Sequence, residues 1–111
     1  MSNVTRTAPQ QLSIKSTFVN ASSLGATQII AAQTGMSIRV ISMAVVTTLA
    51  NSVKFLTAAA DASATFPLGA NGGLVCSFNE HGWFQTNVGE ALSINLSVAT
   101  ATGVQINYII L

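Results

Sequence analysis

Charge is what this chain has least of. Arg6, Lys15, Arg39, Lys54, Asp61, Glu80 and Glu90 are its only charged residues among 111, whereas a soluble domain devotes about a quarter of its residues to charge. Folded-surface scaling gives a chain of this length roughly 5,800 Å², so each charge serves about 800 Å², one partner's share of a standard interface. A surface so neutral is expected to be covered in large part by other subunits. The seven charges form no basic stripe and no acidic tail. Phosphate binding needs clustered Lys or Arg, so no nucleic-acid partner is expected.

Cysteine and histidine are nearly absent as well. The single cysteine, Cys76, excludes an internal disulfide, and alternation along Leu74, Cys76 and Phe78 places it on an apolar face. No cationic neighbour in sequence would stabilise its thiolate. His81 is the only histidine, which excludes a metal centre built from several His ligands within one chain. Copies of Glu80 and His81 gathered at an oligomer axis are the remaining metal arrangement. A Ser-His-Asp set could be assembled only from His81 and Asp61, with no nucleophile elbow to support it. The expectation is a non-enzymatic protein without a cofactor.

Long apolar runs are also missing. The most apolar stretch, residues 36–50, is interrupted by Arg39, Ser42, Thr47 and Thr48 and is shorter than the ~20 residues a membrane-spanning helix needs. It reads as a core strand, with no membrane partner. Residues 1–10 are polar and lack the apolar centre of a secretory signal, so export by the general pathway is not expected. Without such a signal, the Asn-x-Ser/Thr triplets at Asn3, Asn20 and Asn95 are not read as glycosylation sites.

What the chain does have is period-two alternation, which sends successive side chains to opposite faces of a strand. In residues 91–98, Leu92, Ile94, Leu96 and Val98 share one face and Ser93, Asn95 and Ser97 the other. The last stretch places Val104, Ile106, Tyr108 and Ile110 opposite Gln105 and Asn107, until Ile109 and Leu111 make both faces apolar. Its end should be covered on both sides. Further strands are expected over 12–19, 27–32, 36–48, 52–57 and 73–78. The 36–48 strand, with Ile38, Val40, Ala44 and Val46 on one face and Arg39, Ile41, Met43 and Val45 on the other, is long enough to bend between two sheets.

Turn signals separate these runs. Residues 68–73 contain an Asn71-Gly72 pair that favours a tight hairpin, and 87–90 and 100–103 punctuate the C-terminal third. The alanine-rich piece 57–64 reads as a surface loop rather than a helical turn. The resulting fold class is all-β: an antiparallel β-sandwich, jelly-roll-like, in a single domain over residues 12–111.

Residues 1–11 differ from the rest in composition, with Val4 the only large apolar residue after Met1. They suit an extended N-terminal arm able to lie across a neighbour by strand addition; the same composition fits a frayed terminus. The candidate interface residues are Val4 and Arg6 in the arm, Leu12 where it meets the domain, and the aromatic pair Trp83 and Phe84. That pair, beside Gly82, has two readings: an exposed platform for a sugar or a partner, or a plug at the end of the sandwich. Glu90 reads as a solvated turn carboxylate, or as a partner for Arg39 or Arg6 across a subunit boundary. The glycine-rich piece 69–73 lacks the Lys-Ser/Thr ending of a phosphate loop.

The run Asn79-Glu80-His81-Gly82-Trp83-Phe84 is followed by Thr86, Gly89, Glu90, Ala91 and Leu92 in a Thr-x-x-Gly-Glu-Ala-Leu spacing, then by an alternating strand and a terminal Val104-x-Ile106-x-Tyr108. With the preceding Asn71-Gly72-Gly73-Leu74-Val75, this resembles a pattern in small structural proteins of tailed bacteriophages, and it covers about the last 40 residues. The resemblance implies a virion protein assembled in the bacterial cytoplasm. It would be a homotrimeric capsid decoration (cement) subunit that binds the major capsid protein or another virion protein, or else a tail, baseplate or fibre module contacting a host surface glycan. It carries no enzymatic motif.

Overall fold

The computed structural model describes residues 13–111, so the arm and the candidate residues Val4, Arg6 and Leu12 lie outside the described residues. Ten strands follow in order: β1 (Lys15–Ala21), β2 (Gly25–Ile30), β3 (Ile38–Thr47), β4 (Asn51–Thr57), β5 (Ala60–Asp61), β6 (Phe66–Leu68), β7 (Gly73–Cys76), β8 (Phe84–Gln85), β9 (Leu92–Leu96) and β10 (Thr102–Ile110). No helix occurs among the described residues.

The strands form two antiparallel sheets. One runs β2-β9-β4, with β5 and β6 in tandem along the far side of β4. The other runs β1-β10-β3, with β7 and β8 in tandem along the far side of β3. The chain changes sheet at six of its nine connections. Val104 and Ile106 of β10, with Val40, Met43 and Val45 of β3, pack against Ile94, Leu92 and Leu96 of β9 and Val53 and Phe55 of β4 in one continuous core. The fold is therefore the β-sandwich that alternation predicts, because each sheet can remove its apolar face from water only against the other.

Three local readings change. The 36–48 strand does not pass between sheets: all of β3 pairs within one sheet, and a bulge between Asn107 and Tyr108 of β10 leaves Ile41 as the extra residue. The bulge shifts the inward phase, so Ile38 and Val40 on one side of it and Met43, Val45 and Thr47 on the other are all buried, while Val46 is exposed. Ile41 is itself fully buried outside the main core, as is Ile109, so the second face of β10 is covered there as the sequence suggests, but Leu111 at its end remains 42% exposed.

The Asn71-Gly72 turn is not a hairpin. Gly72 N–H donates to Gly69 O at 2.8 Å and Asn71 takes φ 56°, but the turn carries the chain from β6 in one sheet to β7 in the other. Gly73 then runs so close to β3 that a Cβ there would lie 2.6 Å from the Val45 carbonyl oxygen. The alanine-rich piece is non-helical, as expected, yet holds a tight turn from Thr57 to Ala60 with Ala58 at φ 53°, which adds β5 to the sheet.

Candidate functional site

The Trp83–Phe84 pair sits where the two interrupted sheet edges face each other. Asn79 N–H donates to Ile41 O at 2.9 Å and Trp83 N–H to Val40 O at 2.8 Å, so the segment between them is clasped along β3. Within it Gly82 N–H closes a turn onto Asn79 O at 2.9 Å, and the Asn79 side chain accepts from His81 N–H at 3.0 Å. Gly82 takes φ 86°, and a Cβ there would lie 2.5 Å from Cγ of Arg39, so glycine is needed for both backbone and space. Arg39 Nε donates to Gln85 Oε1 at 3.0 Å.

The two aromatics then take different roles. Phe84 stacks on Phe55 of the opposite sheet, with ring centroids 4.8 Å apart and planes at 27°, and so joins the core. Trp83 remains 48% exposed, its indole N–H donated to Ser77 O at 2.7 Å. Both border a groove of about 450 Å³ together with Met43, Phe66, Leu74 and Cys76. No charged residue lines it.

Burial pushes the Cys76 thiol above its ordinary pKa. A thiol held protonated is a poor nucleophile, and the groove holds no charged residue or histidine to act on it. What the groove can offer is apolar contact. The raised pKa also fixes a sign: stability from the partly buried neutral thiol is complete below the ordinary thiol value of 9.0 and is lost as pH rises through the native value. Cys76 should therefore react with a maleimide more slowly in the native protein than in urea. The denaturant midpoint should also fall more between pH 8 and 10 in the wild type than in Cys76→Ala.

Glu90 is not a free surface carboxylate. Its Oε1 accepts from Thr57 Oγ1 at 2.8 Å and from Asn87 Nδ2 at 3.1 Å, while Thr57 Oγ1 accepts from Asn87 N–H at 2.8 Å. These bonds lock the 87–90 turn to the end of β4. The one ion pair among the described residues, Lys54 to Asp61 at 2.9 Å, joins a half-buried lysine to an exposed carboxylate and is worth about 0–1 kcal/mol. Among the described residues no three His, Cys, Asp or Glu side chains gather as a metal site would need.

A second surface went unnoticed in the sequence. On the outer face of the β1-β10-β3-β7 sheet, pairing aligns Phe18, Gln105, Ala44 and Val75 in one cross-strand row. Asn20, Gly103, Val46 and Gly73 form the next row, and Ser16, Asn107 and Ser42 a third. Phe18 is 69% exposed, Val46 56% and Val75 76%. None of these residues is charged; the charge of this face lies beyond the bulge, at Arg39. Alternation over 12–19 does not mark Phe18 as outward, since it shares its phase with Leu12 and Ile14, and only the register brings it beside Val46 and Val75.

No protein-family model matches the chain, and neither a curated protein nor a solved structure matches it.

Proposed function

We propose that the chain is a non-enzymatic structural subunit of a virus particle: a capsid decoration protein that self-associates, as a trimer in the simplest arrangement, and stabilises a phage head. The observation that carries this reading is the uncharged outer sheet face, where Phe18, Val46 and Val75 stand exposed in a chain of seven charges. Such a face is costly in water and serves when buried against other subunits. Contacts of this kind are insensitive to salt. The strand order supports a jelly-roll topology: with the tandem pieces β5–β6 and β7–β8 each counted as one, eight strands form two four-stranded layers and the chain crosses between layers at every connection except the one from β4 to β5, the arrangement used in viral capsid domains. The resemblance over residues 71–111 points the same way.

The test is made on virions purified through a density gradient from the host that produces the chain. The chain should co-migrate with particles. Removal of residues 2–11 should shift it to the soluble fractions without changing its circular dichroism. Complete virions that lack the chain would overturn the reading. The alternative, an adsorption module, draws on the half-exposed Trp83; binding to host surface glycans that vanishes in folded Trp83→Ala would favour it.

A further inference from the structure

We propose that the outer face of the β1-β10-β3-β7 sheet pairs with the same face of a second copy of this chain, about a two-fold axis passing near Gln105. A two-fold contact puts one patch against itself, so any charge near its centre meets its own copy. This patch has none. Its central polar groups are instead amides and hydroxyls, which carry both donor and acceptor and so can bond to their own kind. Gln105 is exposed at the middle of the central row, and Asn107 already donates to Ser42 Oγ at 2.8 Å in the row beside it.

Relief fits the same arrangement. Phe18, Val46 and Val75 project around two shallow hollows of about 260 Å³ each, one beside Phe18 and Val46 and one beside Val75, with Gln105 and Ala44 bordering both. A copy turned face to face brings knobs toward hollows. The area is smaller than a standard interface: the uncharged rows, Ser42 to Val46 of β3 across four strands, span about 17 × 19 Å, some 300 Å² in projection, against roughly 800 Å² per partner. A charged partner would find no complementary charge here.

The inference rests on the self-association part of the reading above and not on the virion. A three-fold ring joins unlike patches, so this self-matching patch stays free to pair two rings.

The test is sedimentation equilibrium of the purified full chain at micromolar concentration, with no particle present. An even number of chains is expected, two or six. Gln105→Glu, nearly isosteric, should halve the mass at pH 7, with affinity falling roughly a hundredfold by like-charge repulsion, and should recover the full assembly near pH 4, where carboxylates protonate. Phe18→Asp should halve it as well, with unchanged circular dichroism. A wild-type monomer or trimer, or an even assembly indifferent to both substitutions, would overturn the proposal. So would a monomer that becomes even-numbered only when residues 2–11 are deleted, since the chain's own N-terminal segment would then be the occupant. A chain missing from virions but dimeric in solution would sink the virion reading alone.

Discussion

Asn51→Ala should lower the unfolding free energy by about 3 kcal/mol, because one buried amide at the start of β4 holds the whole 97–102 connection. Asn51 is 4% exposed. Its Oδ1 accepts from Ser97 N–H at 3.1 Å, Ser97 Oγ at 2.9 Å and Val98 N–H at 3.0 Å, while Nδ2 donates to Val98 O at 3.3 Å. Beside it Thr102 Oγ1 bonds Thr100 O at 3.1 Å and Thr47 Oγ1 at 3.3 Å. No buried side-chain nitrogen or oxygen lacks a partner among the described residues, so truncation strands several groups at once. For a domain of this size that loss corresponds to a melting-temperature drop of about 10–15 °C.

Asn51→Asp separates the two halves of the amide. It keeps the acceptor but sets a carboxylate oxygen against the Val98 carbonyl, so its loss of stability should be larger at pH 7 than at pH 4. A drop under 1 kcal/mol for Asn51→Ala would mean that water replaces the amide and that the connection is held by its backbone alone.

The layers of this fold were legible in the sequence, and its couplings were not. Alternation in 91–98 and 104–110 marked the inward residues of β9 and β10 because a pleated strand half in water leaves a period of two, except at Val98, which lies past the end of β9 and is 40% exposed. The same rule misassigned β3, since one unpaired residue, Ile41, reverses the phase and only pairing with β10 reveals it. Asn71-Gly72 marked a turn correctly, but turn chemistry records a local dihedral angle and not which sheet receives the next strand. Asn51 and Ser97 stand 46 positions apart, and nothing local in either marks the bond between them. At the candidate site, sequence located the aromatic pair but left its two readings open; the neighbour that decides for Phe84 is Phe55, from the other sheet. Depletion of charge was visible throughout, whereas the face on which neutral residues concentrate emerged only with register.

Phe84→Ala and Trp83→Ala should therefore part company, although the residues are adjacent. Phe84 loses its stack on Phe55 and its packing against the core, and truncating a buried aromatic costs about 3–5 kcal/mol, here near the lower figure because Phe84 is only partly buried. Trp83 is half exposed and gives up one exposed hydrogen bond to Ser77, so its truncation should cost less than about 1 kcal/mol. Binding should reverse the ranking. If the groove beside Trp83 receives a partner or a glycan, Trp83→Ala reduces binding at unchanged stability, whereas Phe84→Ala reduces binding only in proportion to the unfolded fraction. Urea denaturation of both variants, with binding to purified particles measured on the folded fraction, tests the division. Equal destabilisation by the two substitutions would show that Trp83 belongs to the core, and the groove would then lose its exposed anchor.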